Sequence, residues 1–141
     1  MKYKSILILF IVFHYGCEYV DDRLVVVNNT DHNIEFVLFD KDSLVNLYDG
    51  YDLDSLNTFR INHIISLNPG EKKIKSRLGA KNEWEKVVLS GDSQKLYVFL
   101  FDNDTINKYD WKTIVTKEKY QNRLSFSLKE LQTSNWNVII N

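Results

Sequence analysis

The sequence is poor in the residues that divide or crosslink a chain. It has one cysteine, Cys17, so no disulfide can form within one copy and the fold must be held by its core. One proline and five glycines, with no Gly/Ser-rich tract, indicate a single domain without a flexible linker. Lys and Arg number 18 against 19 Asp and Glu, so the chain lacks the basic excess of a nucleic-acid-binding protein.

Apolar runs long enough to span a bilayer are also missing, and the longest apolar run lies at the N-terminus. Lys2 and Lys4 precede an unbroken apolar stretch over residues 6–13. That length lies within the ~7–15 residues of an export-signal core and far below the ~20 residues of a membrane-spanning helix. We therefore predict that residues 1–16 are a signal peptide, and that its removal leaves a more acidic chain.

The end of this segment carries a resemblance. Gly16 followed by Cys17 resembles the lipobox of bacterial lipoproteins, although His14 and Tyr15 depart from its usual Leu and small residue. The resemblance implies that Cys17 becomes the new N-terminus and carries acyl chains. It further implies attachment to the membrane of a bacterial envelope, with the outer membrane as the expected location. The alternative is an ordinary secreted protein with one stray thiol.

The residues after the cysteine are acidic. Glu18, Asp21 and Asp22 look like the acidic tract that follows the lipidated cysteine in surface-exposed lipoproteins of Bacteroidota. We predict residues 17–22 as an acidic linker and residues 23–141 as the folded domain. The alternative for the acidic residues is a solvated linker without an address function.

The remaining pattern is typical of β-structure, because short branched and aromatic runs alternate with Asn, Asp and Gly. The predicted fold is all-β: an immunoglobulin-like two-layer β-sandwich with one or two short helices. The first two strands are expected to form one hairpin, and the third and fourth another around Pro69, with Ile74 buried. Residues 40–60 are predicted as a loop and residues 84–89 are ambiguous between helix and strand. Strands are predicted at 24–27, 34–39, 61–67, 72–77, 96–101, 123–126 and 136–140, with 96–101 central, and helices after Asp110 and Ser127.

The C-terminal part carries a second resemblance. From residue 96 onwards the chain looks like a family of small uncharacterised Bacteroidota lipoproteins, through Trp111, Tyr120, Arg123 and Trp136 together with Leu128-Lys129-Glu130-Leu131. The resemblance implies a lipoprotein but no activity. It implies packing and turn roles for the first four of these residues.

One motif suggests catalysis. The apolar run 96–101 followed by Asp102-Asn103-Asp104 resembles the first motif of haloacid-dehalogenase-type phosphatases. The resemblance implies Asp102 as nucleophile and Asp104 as acid/base beside Mg²⁺. Ile106 occupies a position where that motif has Thr or Val, and no downstream acidic pair completes a magnesium site. Residues 37–43 repeat the pattern, which favours two strands that each end in a polar turn.

The predicted loop holds the remaining candidates. Its acidic and aromatic side chains could bind Ca²⁺ or stack on a sugar, or they could be solvated. His32 and His63 lack the spacing of a zinc motif, and no metal ligand is assigned. The leading hypothesis is a non-enzymatic, membrane-anchored envelope lipoprotein without a cofactor, which binds or supports an envelope protein or glycan. The speculative ligand-binding residues are Tyr48, Asp49, Tyr51, Asp52 and Asp54.

Overall fold

The computed structural model describes residues 19–47 and 63–141. Within these ranges, two short 3₁₀ turns, Leu44–Leu47 and Asp92–Gln94, and four α-helices connect the strands. Strands are β1 (Tyr19–Asn28), β2 (Ile34–Phe39), β3 (Ile65–Leu67), β4 (Lys72–Gly79), β5 (Lys95–Phe101), β6 (Asn122–Ser127) and β7 (Asn137–Ile140). Helices are α1 (Glu83–Ser90), α2 (Asn103–Lys108), α3 (Trp111–Thr116) and α4 (Leu128–Thr133).

The strands form two sheets. The three-stranded sheet has the order β4-β1-β7 and the four-stranded sheet the order β3-β2-β5-β6. Adjacent strands are antiparallel except β1 and β7, which are parallel. The prediction of a mostly-β fold with two sheets, as in a β-sandwich, is confirmed. The described residues include four short α-helices where one or two were predicted.

The first core lies between the two sheets. Alternate residues of β1, β2, β5 and β7 point inwards, as the two-residue period of a strand requires. Trp84 of α1 and Leu131 of α4 close the ends of this layer. Its buried members include Leu24, Val26, Phe36, Leu96, Val98, Leu100, Trp136, Val138 and Ile140.

A second core covers the opposite face of the four-stranded sheet. Helices α2 and α3 and the first 3₁₀ turn pack their apolar side chains onto β2 and β5. Strand β5 is therefore buried on both faces, which confirms its predicted central position. The buried members are Val37, Leu44, Tyr97, Phe99, Phe101, Ile106, Trp111, Ile114 and Val115.

Both predicted hairpins are wrong. Strand β1 pairs with β4 and β7, whereas β2 pairs with β3 and β5, so each predicted turn crosses between sheets. Asn28 holds the first crossing: its buried side-chain amide donates to the carbonyls of His32 and Leu67, at 2.8 and 3.0 Å. Gly70, with φ +75°, donates its N–H to the Asn28 carbonyl and joins the second crossing to the first.

The predicted burial of Ile74 is also wrong. Ile74 pairs with Val25 on the outer face of the three-stranded sheet and is 58% exposed. Its neighbours on β4, Lys73 and Lys75, point to the inter-sheet side instead. A strand pattern that alternates between apolar and charged residues defines two faces, but it does not say which face is buried.

The helix predictions rested on local signals and are confirmed. Asp110 caps α3 by accepting a hydrogen bond from the Thr113 N–H at 2.9 Å. Ser127 and Glu130 form the predicted capping box of α4. The ambiguous segment 84–89 is helical, within α1. Within residues 19–47 and 63–141, none of the helices has the length and apolarity that crossing a bilayer requires.

The described fold begins earlier than residue 23. Strand β1 includes residues 19–22, which were predicted as linker, and pairs Tyr19 with Gly79 and Val20 with Leu78. Asp21 is fully buried. The part of the predicted acidic tract that the structure describes is therefore a strand, and one of its carboxylates belongs to the interior.

Candidate functional site

A groove runs along the open edge between the two sheets. It consists of two adjoining hollows of about 320 and 280 Å³, which share Leu38, His63 and Arg77 as lining residues. We call it the basic groove. It is lined by Leu38, Phe39, Asp40, His63, Ile65, Lys75, Ser76, Arg77, Trp84 and Val87.

Strand β4 supplies Lys75 and Arg77 to the groove, with Lys73 on the same face, because of its register with β1. Lys73, Lys75 and Arg77 stand opposite Val26, Leu24 and Asp21 respectively. Side chains of directly paired residues share a face of the sheet, and these three β1 residues are fully buried on the inner face. The alternation of β4 therefore directs three cations towards the inter-sheet edge.

The three cations raise the local positive potential. Lys75 is half-buried, and its burial, together with the neighbouring charges of Lys73 and Arg77, lowers the pKa of its amine. The Arg77 guanidinium lies 5.1 Å from the ring centre of Trp84, in cation–π geometry. Among the described residues, no carboxylate forms an ion pair with any of these three cations. An anionic group bound here would relieve their mutual repulsion.

Trp84 forms the apolar floor of the groove and is fixed by hydrogen bonds. Its indole N–H lies within hydrogen-bonding distance of the carbonyls of Asp21 and Lys75, at 3.2 and 3.1 Å. Its backbone N–H donates to the Asp21 carboxylate at 3.1 Å. These three contacts tie α1 to the β1–β4 pair, so the floor of the groove is held rigidly.

A second charged cluster lies beneath this floor. Arg23 donates one hydrogen bond of 2.8 Å to each carboxylate oxygen of Asp21, and also donates to the carboxylate of Glu85. The Arg23 guanidinium stacks on the Trp136 ring at 4.5 Å. Its hydrogen bonds hold the pKa of Asp21 below its usual value, although burial acts in the opposite direction, and also lower the pKa of Glu85. These charges satisfy one another, which assigns the cluster to stability.

Asp102 of the phosphatase-like motif is a helix cap. Its carboxylate accepts hydrogen bonds from the Thr105 N–H at 2.5 Å and the Thr105 hydroxyl at 3.1 Å. Asp104 lies in the first turn of α2 and is exposed. The short helix that follows was not predicted, because the same residues suit a turn and a cap equally well.

The two Asp-x-Asp segments do not meet. Strands β2 and β5 are antiparallel neighbours, with Phe39 opposite Tyr97 and Glu35 opposite Phe101. Asp40 therefore follows β2 at one end of the sheet, and Asp102 follows β5 at the other. Within residues 19–47 and 63–141, no three His, Cys, Asp or Glu side chains are grouped so that they could hold a metal ion.

Some of the remaining candidate residues lie within the ranges that the structure describes, and others lie outside them. Cys17 and the five loop residues Tyr48, Asp49, Tyr51, Asp52 and Asp54 lie outside the described residues, so these assignments stay predictions. His63 lines the basic groove, whereas His32 lies at an exposed turn beside Asp31, with 2.9 Å between the ring Nδ1 and the carboxylate.

The clustering of the β4 cations was missed at the sequence level. Lys73, Lys75 and Arg77 alternate over five residues of one predicted strand, which is the signal that three cations share a face. The presence of Ile74 between them suggested that the opposite face was buried. Only the placement of β4 at a sheet edge shows that the cationic face lines a groove.

The four residues named in the C-terminal resemblance lie in packing positions. The rings of Trp111 and Phe101 meet edge to face at 5.7 Å, and those of Tyr120 and Phe99 at 5.2 Å. Trp136 belongs to the inter-sheet core, and Arg123 lies over the Tyr97 ring at 5.6 Å. No protein-family model, curated protein or solved structure matches this chain.

Proposed function

We propose that this chain is a non-enzymatic lipoprotein of the bacterial envelope, anchored by acyl chains on Cys17, whose basic groove binds an anionic group of another envelope component. The observation that carries the binding role is that Lys75 and Arg77, which line the groove, and Lys73 on the same face of β4 have no ion-paired carboxylate among the described residues. An apolar floor beside such charges suits a ligand that has both an anionic and a non-polar part.

The anchor is supported by the sequence and by where the fold starts. Lys2, Lys4, the apolar run 6–13 and the Gly16-Cys17 pair have the order of a lipoprotein signal. Strand β1 begins only two residues after Cys17. An acylated Cys17 would thus place the domain directly at a membrane surface, and two or more acyl chains give stable attachment.

The finer fold assignment is part of the proposal. Seven strands divided between a three-stranded and a four-stranded sheet agree with an immunoglobulin-like sandwich. The helices on the outer face of the four-stranded sheet would be an addition to that plan. We also retain the relationship to the small Bacteroidota lipoproteins and an outer-membrane, surface-exposed location as proposals.

Metabolic labelling tests the anchor. Cells that express the full chain are grown with radiolabelled fatty acid, and Cys17→Ser is compared with the wild type. We expect label and membrane retention in the wild type, and neither in the variant, because the thiol is the only attachment point of this kind in the chain. Label in Cys17→Ser, or an unlabelled wild type, would refute the lipoprotein assignment.

A glycan array tests the groove. The probes are phosphate-, sulfate- and carboxylate-bearing glycans, with neutral glycans of the same backbone beside them. Lys75→Gln/Arg77→Gln is expected to lose at least tenfold in affinity, since two charge-assisted contacts together contribute more than about 1.4 kcal/mol. The matched control, Lys72→Gln/Lys129→Gln, removes the same charge from exposed positions outside the groove. Equal binding by both variants would contradict the proposal.

Asp102 provides the test of the non-enzymatic assignment. Because its carboxylate caps α2, Asp102→Ala is expected to lower the free energy of unfolding by about 1 kcal/mol. Phosphatase assays with Mg²⁺ should give the same background rate for wild type and variant. Turnover by the wild type that disappears in Asp102→Ala, with the folded fraction unchanged, would reinstate the phosphatase alternative.

A further inference from the structure

The start of β1 and the end of β4 form a two-stranded tip with exposed apolar side chains. Val20 and Leu78 are directly paired on one face and are 42% and 69% exposed, and Tyr19 at the end of the ladder is 42% exposed. Strand β7 pairs with β1 only from Val25 onwards, so it does not flank this tip.

The position of the tip relative to Cys17 is limited by covalent geometry. Glu18 is the only residue between Cys17 and Tyr19. Two Cα–Cα steps span at most about 7 Å, even when fully extended. If acyl chains hold Cys17 at a bilayer, the tip must therefore lie within about 1 nm of the lipid headgroups.

The charges around the tip are compatible with a lipid surface. Among the described residues, Arg77 and Lys81 are exposed cations, and Asp22 is an exposed anion beside them. The carboxylate of Asp21 is paired with Arg23, and that of Glu83 accepts from Lys86 at 2.5 Å. Glu18, directly before Tyr19 in the sequence, is a second anion, so two cations stand against two anions and no net charge of either sign opposes apolar contact with a lipid surface.

From this geometry we propose that the tip formed by Tyr19, Val20 and Leu78 inserts into the headgroup region of the membrane that holds the acylated Cys17. The inference rests on the proposed lipid anchor. It proposes that the exposed tip residues contact lipid. The domain would then lie directly on the membrane, with no flexible tether between the anchor and the fold. Apolar groups at such an interface settle roughly 5–10 Å into the headgroup and acyl boundary.

Spin labelling of the acylated full chain in proteoliposomes tests the docking. An acylated Cys17 has no free thiol, so a cysteine introduced by Leu78→Cys is the only site that a maleimide nitroxide can label. Ile139→Cys is the matched control: Ile139 is apolar, 50% exposed and on the outer face of the same sheet. It stands opposite Val27, eight residues along β1 from Tyr19, or about 26 Å at ~3.3 Å per residue.

We expect a several-fold lower collision rate with an aqueous nickel chelate at position 78 than at position 139, and a higher rate with oxygen. Equal accessibility at both positions, with wild-type protein that is acylated and does not react with maleimide, would overturn the docking and leave the anchor intact. A wild-type Cys17 that reacts with maleimide would overturn both. Both labelled positions are exposed, and unchanged circular dichroism verifies the fold.

Discussion

The two sheets of this protein differ in how their outer faces are covered. Helices α2 and α3 seal the outer face of the four-stranded sheet, whereas Ile74 and Ile139 stay half-exposed on the outer face of the three-stranded sheet. The four-stranded sheet thus carries two cores and the three-stranded sheet one. The candidate groove and the proposed membrane tip both involve the less covered sheet, because only side chains that remain accessible can meet a ligand or a lipid.

The largest expected effect is on the free energy of unfolding, and it compares a residue under the helices with one on the uncovered sheet face. Ile114 of α3 is fully buried against the four-stranded sheet, and Ile74 is its exposed counterpart on the other sheet. Ile114→Ala should lower the free energy of unfolding by about 2–5 kcal/mol, and Ile74→Ala by no more than about 1 kcal/mol. Urea unfolding of the two variants is the measurement. Similar losses would mean that the outer face at Ile74 is covered in solution.

A somewhat smaller effect is expected where α1 is tied to the three-stranded sheet. Arg23→Met leaves the carboxylate of Asp21 buried without its cation, and we expect a loss of about 3 kcal/mol. Asp21→Asn/Arg23→Met removes both charges and should recover part of that loss. A double variant that is no more stable than Arg23→Met would assign the stabilising role to the stacking of Arg23 on Trp136.

The smallest effect is a pH dependence confined to the same network. The pKa values of Asp21 and Glu85 are lowered in the folded state, chiefly by hydrogen bonds from Arg23. Their contribution to stability is therefore complete above their ordinary values of 3.8 and 4.5, and is lost as the pH falls through the folded-state values. Free energies of unfolding measured from pH 7 to pH 3 should decline less steeply in Asp21→Asn than in wild type. Parallel curves would exclude Asp21 as a source of acid sensitivity.

Features encoded by neighbouring residues could be predicted. Residues 96–101 of strand β5 form an uninterrupted apolar run, a composition typical of a strand buried on both faces. Ser127 and Glu130 satisfy each other's backbone N–H groups within one turn, so their spacing alone predicts where α4 begins. In both cases the composition or spacing of the segment itself is enough to predict its structure.

Features that depend on sheet assignment could not be predicted. Consecutive strands usually pair, and β1 and β2 do not, because the buried amide of Asn28 stabilises a crossing between sheets. The same limitation affected Ile74 and the groove cations, since the edge position of β4 decides which of its faces meets solvent. No local pattern in residues 72–79 contains that information.

The parallel pairing of β7 with β1 has a consequence for when the chain can fold. Asn137–Ile140 lies beside Val25–Asn28, so one edge strand of the three-stranded sheet comes from residues more than 100 positions later in the chain than its partner. Native pairing with such large sequence separation must wait until residues 137–140 have been synthesised. Until then β1 lacks one of its two partners, so a nascent chain that has not yet reached Asn137 cannot hold the complete three-stranded sheet.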